Sequence, residues 1–139
     1  KMSYMERSTF NLFMVESGWA APFIIFPSLP KYRDLVFFQE VAKAAYAGKK
    51  GAWADEATLT GYEFRACYKL WEIIKKLKDG KKLSSAERTN WMTRYCADMT
   101  TRQIYEPQNY IKVEPFNRIF IWAEGVTEAV AKMNLVAGD

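Results

Sequence analysis

The stretch Asn11-Leu12-Phe13-Met14-Val15-Glu16-Ser17-Gly18-Trp19-Ala20, running on into Ala21-Pro22-Phe23-Ile24-Ile25-Phe26, sets the expected order of elements at the N-terminal end. Asn11 is a good N-cap for a short helix over Leu12–Ser17, and Gly18 supplies the left-handed residue that ends one. Trp19–Phe26 is a short apolar, aromatic run bounded by turn residues, which predicts a buried strand. Pro22 lacks a backbone N–H, so that strand belongs at a sheet edge or carries a bulge. Pro27-Ser28-Leu29-Pro30 stops it. Upstream, Tyr4 to Phe10 reads as a further short strand.

Downstream, Lys31–Gly48 shows Leu35, Phe38, Val41, Ala42 and Ala45 at i, i+3 and i+4 spacing, the apolar stripe of a helix. Asp34 near its start and Lys49-Lys50 beyond its end suit the helix dipole. Gly48 and Gly51 punctuate, and Trp53 is placed to fold back over the helix end.

These pieces, in this order, resemble the last part of the staphylococcal nuclease family. The carriers are Asn11, Met14-Val15, Gly18 and Ala20, then an aromatic–aliphatic strand, a Pro-containing loop, and a basic helix closing in Lys49-Lys50-Gly51-Ala52-Trp53. The resemblance covers about residues 3–56. It implies an α+β, mainly helical chain: the C-terminal part of an OB-fold-type nuclease barrel over 1–56, and a helix-rich extension with a short β-hairpin over 57–139. In that family carboxylates hold a calcium ion and two arginines hold the scissile phosphate, the usual electrostatic answer to phosphodiester hydrolysis. Neither the Arg…Asp-x-Pro-Glu stretch nor the Tyr-Gly-Arg stretch that supplies them occurs here; Thr60-Gly61-Tyr62 and Arg7 do not replace them. The resemblance therefore implies a parent calcium-dependent nuclease acting on DNA or RNA, and a chain that alone lacks the catalytic residues. The alternative is a non-catalytic nucleic-acid or protein-binding module of nuclease-like fold. No cofactor is expected in this chain; calcium is expected for the complete family domain. Phe26 is a candidate for base stacking, with a place in the core as the competing role; Lys31 and Tyr32 are candidates for phosphate contact.

Past residue 56 the residues speak for themselves. Thr60–Leu77 predicts a second long helix with Phe64, Cys67, Tyr68, Trp71, Ile74 and Leu77 on one side. Ser84-Ser85-Ala86-Glu87 is a capping box opening a shorter helix through about Thr93. Arg94–Asp98, Arg102–Tyr105 and Arg118–Trp122 read as strands, and Val126–Leu135 as a closing amphipathic helix. The polar cluster Arg94, Asp98, Thr100, Thr101 and Arg102 belongs to turn chemistry at a hairpin tip.

Composition narrows the chemistry. The 139 residues include 16% aromatics and a net charge of +4, enough apolar material for a core and a mild tolerance of phosphate-rich partners. Lys69, Lys75, Lys76, Lys78, Lys81 and Lys82, preceded by Arg65, form either a solvated helix face or a phosphate-tracking ridge. The chain contains no His, which closes Ser-His-Asp, Cys-His and His-ligated zinc chemistry within it. Cys67 and Cys96 are expected as buried free thiols. No membrane span or signal peptide is expected, and the opening Lys1-Met2-Ser3-Tyr4 reads as the interior of a longer protein. A barrel strand at Tyr4 would carry an unpaired edge, so its own C-terminal strands, a second copy (a homo-oligomer) or an upstream fragment is expected to complete it. The family includes secreted members; the sequence itself assigns no compartment.

Overall fold

The structure is a computed structural model that describes residues 4–89 and 93–138. The opening Lys1-Met2-Ser3, Trp91 and the end of the helix expected through Thr93 lie outside the described residues, as do the side chains of Glu6 and Arg7. A mixed five-stranded sheet in the order β1-β4-β2-β3-β5 organises the chain. Its strands are β1 (Ile24–Phe26), β2 (Arg94–Asp98), β3 (Gln103–Tyr105), β4 (Arg118–Trp122) and β5 (Val136–Ala137). β4 pairs antiparallel with β2 and parallel with β1. The helices are α1 (Tyr4–Glu16), α2 (Tyr32–Ala47), α3 (Gly61–Lys78), α4 (Ser85–Thr89) and α5 (Val126–Met133).

The period-two alternation of β4 explains the layering. Ile119 and Ile121 point to one face, where they join Phe26, Ala97, Leu35 of α2, Ala129 of α5 and Leu135 in a buried cluster. Phe120 points to the other face, with Cys96, Tyr110 and Val113, and Tyr62 from the first turn of α3 packs against it. Phe26 and Leu35 thus share one core with Ile119 and Ile121, so the 1–56 and 57–139 stretches contribute to the same sheet and the same apolar cluster.

α2, β2, β4 and α5 agree with the expected elements to within two residues. β1 is an outer strand, and Pro22 lies before it, outside the ladder. Trp53 lies against Tyr46 with ring centroids 5.2 Å apart, sealing the end of α2. Asp98 Oδ1 accepts from the amides of Thr100 (2.7 Å) and Thr101 (3.0 Å), and Arg102 has φ 59°, which is turn chemistry.

Three expectations fail, and one apolar helix face is left uncovered. Tyr4–Phe10 is helical, and α1 runs through Asn11 without a break and packs along α2. The edge-strand argument for oligomerisation built on Tyr4 therefore loses its basis. Trp19–Phe23 is irregular, since Trp19 and Ala20 both donate to the carbonyl of Met14 and wrap the helix end. The apolar side of α3 faces solvent, because this helix meets the sheet through its first turn and projects away from it. Cys67 rides on that projecting side and is exposed, whereas Cys96 is buried.

Candidate nucleic-acid interface

The first turn of α3 is locked to the sheet by local and long-range bonds acting on one residue. Thr60 and Glu63 form a reciprocal capping box, with the Thr60 amide donating to Glu63 Oε2 at 2.7 Å. Glu63 Oε1 accepts from Arg118 Nη1 at 3.1 Å, and both side chains are nearly excluded from water. Arg118 Nε donates to the Val113 carbonyl at 2.7 Å, so the guanidinium is held from two sides. Tyr62, beside Glu63, stacks on Phe120 with centroids 4.1 Å apart. Burial is the first cause raising the Tyr62 pKa above its ordinary value, with Arg94 and Arg118 pulling the other way.

These anchors leave a cleft between α3, the Trp19–Phe23 segment and the end of the sheet. It has a volume of about 390 Å³ and is lined by Trp19, Phe23, Tyr62, Arg65, Arg118 and Phe120 among others. A smaller neighbour of about 80 Å³ is lined by Tyr62, Arg65, Lys69, Arg94 and Trp122. Arg65 and Tyr62 border both. The walls are aromatic and the charged groups are cations.

Arg94 lines the smaller pocket and lies against Phe23, which lines the larger one. The register opposes Arg94 directly to Trp122, and its Cζ lies 4.3 Å from the Trp122 ring centroid and 5.5 Å from that of Phe23. Phe23 in turn stacks on Phe120 at 5.2 Å. A guanidinium held between two rings keeps its planar fork in a fixed direction. Arg94 Nε is shielded from solvent and has no hydrogen-bond partner. A buried donor without an acceptor carries a desolvation cost; because Nε is shielded, an incoming phosphate oxygen would meet the open part of this half-buried side chain instead.

The three residues singled out from sequence do not converge here. Phe26 is only 4% exposed and sits in the core beneath α2 and α5, so its ring has no open face for a base; the competing core role is the one it plays. Lys31 and Tyr32 flank the start of α2, and Tyr32 is 81% exposed. Arg94 was grouped with the hairpin tip in the sequence reading; it occupies the opposite end of β2. Phe23 and Trp122 were read simply as strand aromatics. Alternation along Arg94–Asp98 and Arg118–Trp122 places Arg94, Cys96, Phe120 and Trp122 on one sheet face, the one signal in the sequence that pointed to them.

Among the described residues no three acids or thiols come together as metal ligands, so a calcium ion has no carboxylate cage in them. Among the described residues, no helix is long and apolar enough to cross a membrane.

No protein-family model matches the chain, and no solved structure matches it significantly. Endonuclease YhcR of Bacillus subtilis (strain 168) is 27% identical over 124 residues, which covers 88% of this chain and 8% of that protein. A match of 124 residues reaches far beyond residues 3–56, so the likeness includes the stretch that carries α3, β2 and β4. The chain spans 8% of the length of that endonuclease, and 27% identity across it marks a distant, nuclease-like relationship.

Proposed function

We propose that this chain is a nucleic-acid-holding part of a nuclease-like protein, and that its cleft binds a polynucleotide strand without cutting it. The observation that carries the reading is the Arg94 guanidinium, held against Phe23 and Trp122 beside Arg65 and Lys69. Arg94, Arg65 and Lys69 supply the phosphate contacts. Trp19, Phe23 and Trp122, each partly open to solvent, supply π-faces for bases. Lys31 and Tyr32 are a second, peripheral point of contact for the same strand. The likeness to an endonuclease supports a phosphodiester polymer as the ligand.

The finer proposal is that the parent is a calcium-dependent nuclease and that residues 1–56 correspond to the C-terminal part of its OB-type barrel. The acids and the metal then come from elsewhere in the parent. The absence of an acid cluster among the described residues favours a second reading, a binding module with no catalysis at all. Both predict binding by this chain.

Fluorescence anisotropy with a labelled single-stranded oligonucleotide tests the reading at several salt concentrations. Arg94→Met should weaken binding roughly tenfold and lower the slope of log K against log salt by about 0.7, the value for one phosphate on a single strand. Unchanged affinity in Arg94→Met, Arg65→Met and Trp122→Ala, with folding intact, would refute the cleft as the site. Cleavage of the oligonucleotide by the purified chain in calcium would refute the absence of catalysis.

A further inference from the structure

Beyond its first turn, α3 presents a second surface. Phe64, Tyr68, Leu70, Trp71, Ile74 and Leu77 occupy one half of the helix at 100° per residue, and each is between 41% and 65% exposed. The fourteen residues from Phe64 to Leu77 span about 21 Å, so this is an extended apolar ridge, larger than the scattered exposed side chains any surface carries. α4 does not cover it: Lys76 of α3 pairs with Glu87 of α4, and Lys76 lies on the polar half of the wheel. The ridge also lies apart from the Arg65–Lys69 side that borders the cleft.

Charge selects the occupant. From Arg65 to Lys82 the chain carries seven basic and two acidic residues. A second copy laid ridge to ridge would bring like charges together, which disfavours self-association. A lipid surface is disfavoured by where the lysines lie. On the wheel Lys78 falls between Cys67 and Trp71, near the middle of the apolar arc, and Lys75 falls between Phe64 and Tyr68. The Lys75 Nζ rests 5.2 Å from the Trp71 ring centroid, over the ridge itself. An interfacial membrane helix keeps its cations on the opposite face. Cations set within an apolar ridge instead match a surface that offers carboxylates and apolar groups in alternation.

We infer that the exposed ridge of α3 docks an acidic amphipathic segment of a partner protein, whose carboxylates meet Lys75 and Lys78 while its apolar side chains cover Trp71, Tyr68 and Phe64. The mode is helix against helix, read at i, i+3, i+4 and i+7. It does not depend on the polynucleotide cleft, since Arg94 and Trp122 take no part in it.

The test uses the full chain and a fluorescent synthetic peptide of about 20 residues, helical, with Leu on one face and Glu flanking it. A charge-reversed peptide with Lys in place of Glu is the comparison. Anisotropy should show the acidic peptide binding at least tenfold more tightly than the charge-reversed one, with a change in Trp fluorescence. Lys75→Glu/Lys78→Glu should reverse that preference, and Trp71→Ser should weaken binding at least tenfold. Circular dichroism should stay unchanged in both variants, because every altered side chain is solvent-exposed, and oligonucleotide binding should stay unchanged in Trp71→Ser, which leaves the charge as it is. Equal affinity of the unaltered chain for the two peptides would overturn the inference without any variant. So would binding to phosphatidylserine vesicles in the absence of peptide binding, or a concentration-dependent dimer abolished by Trp71→Ser.

Discussion

The amide of Ala52 donates to the carbonyl of Gly18 across 3.1 Å, tying the end of α1 to the turn that closes α2. The two glycines make that approach possible. Gly18 and Gly51 both hold positive φ, 78° and 53°, and a Cβ on Gly51 would stand 2.6 Å from the carbonyl oxygen of Ser17. A Cβ on Gly18 would collide with the backbone of Lys50. The Gly-x-Trp ending that carried the sequence resemblance is therefore a packing device. Gly51 lets the chains touch, and Trp53 then reaches Tyr46.

Gly51→Ala should destabilise the fold by about 3 kcal/mol, from a strained left-handed Cβ plus a backbone collision that no rotamer relieves. Gly80→Ala, which also has positive φ but open space around it, should cost only about 1 kcal/mol. Urea unfolding of the two variants checks this; equal losses would show that conformation alone, without the close approach, governs Gly51.

The Glu63–Arg118 pair is nearly water-free, so removing one partner strands a charge. Glu63→Leu should cost about 3 kcal/mol, and adding Arg118→Met should restore part of that loss by deleting the orphaned guanidinium. The double-mutant cycle by thermal or urea melts measures the coupling. A double variant that loses the sum of the two single losses would show that the residues do not act together.

The two thiols should behave as separate populations. Burial pushes the Cys96 thiol up to about 12 and shields it, while Cys67 is exposed on α3. Reaction with a thiol-specific disulfide reagent near neutral pH should consume one thiol quickly in the native protein, and the second only on unfolding. Mass mapping should place the fast label on Cys67. Fast labelling of Cys96 would mean that β2 opens on that timescale.

Lys76 and the Ser84 amide hold the Glu87 carboxyl at about 2, below its ordinary 4.5. A depressed carboxyl stabilises the α3–α4 hairpin in full above its unfolded value and loses that effect as pH falls through about 2. Chemical shifts of the Ser84–Arg88 amides should therefore titrate near pH 2 in the native chain, and Glu87→Gln should abolish that titration. A midpoint near 4.5 would mean that Lys76 does not pair with Glu87 in solution.

Strand and helix positions with strong alternation or a clean apolar stripe were legible without the structure. Arg94–Asp98 and Arg118–Trp122 lie where their short strand-like runs put them, and Tyr32–Ala47 where its apolar stripe does; the burial of Arg118–Trp122 on both faces goes with its near-continuous apolar run. Tyr4–Phe10 was misread because a short mixed segment has no decisive period, and its helix is stabilised by packing on α2. The stripe from Phe64 to Leu77 has the right period and still faces solvent. Periodicity shows that a face is apolar; it says nothing about what lies opposite.

By itself, the sequence determined the local elements from Tyr32 to Ala47 and in the strands Arg94–Asp98 and Arg118–Trp122, the absence of histidine chemistry, the missing carboxylate motif and the Gly51–Trp53 closure. Each depends on residues close together in the chain or on composition. Only the tertiary structure decided the candidate site. Arg94, Trp122, Phe23 and Arg65 come from four separated segments and meet through the parallel β1–β4 and antiparallel β2–β4 pairings, with α3 held in place by Glu63 on Arg118. The same pairings buried Phe26 and left Arg94 Nε without an acceptor. Which side of a strand meets a helix, and which meets an open cleft, is set by contacts distant in sequence.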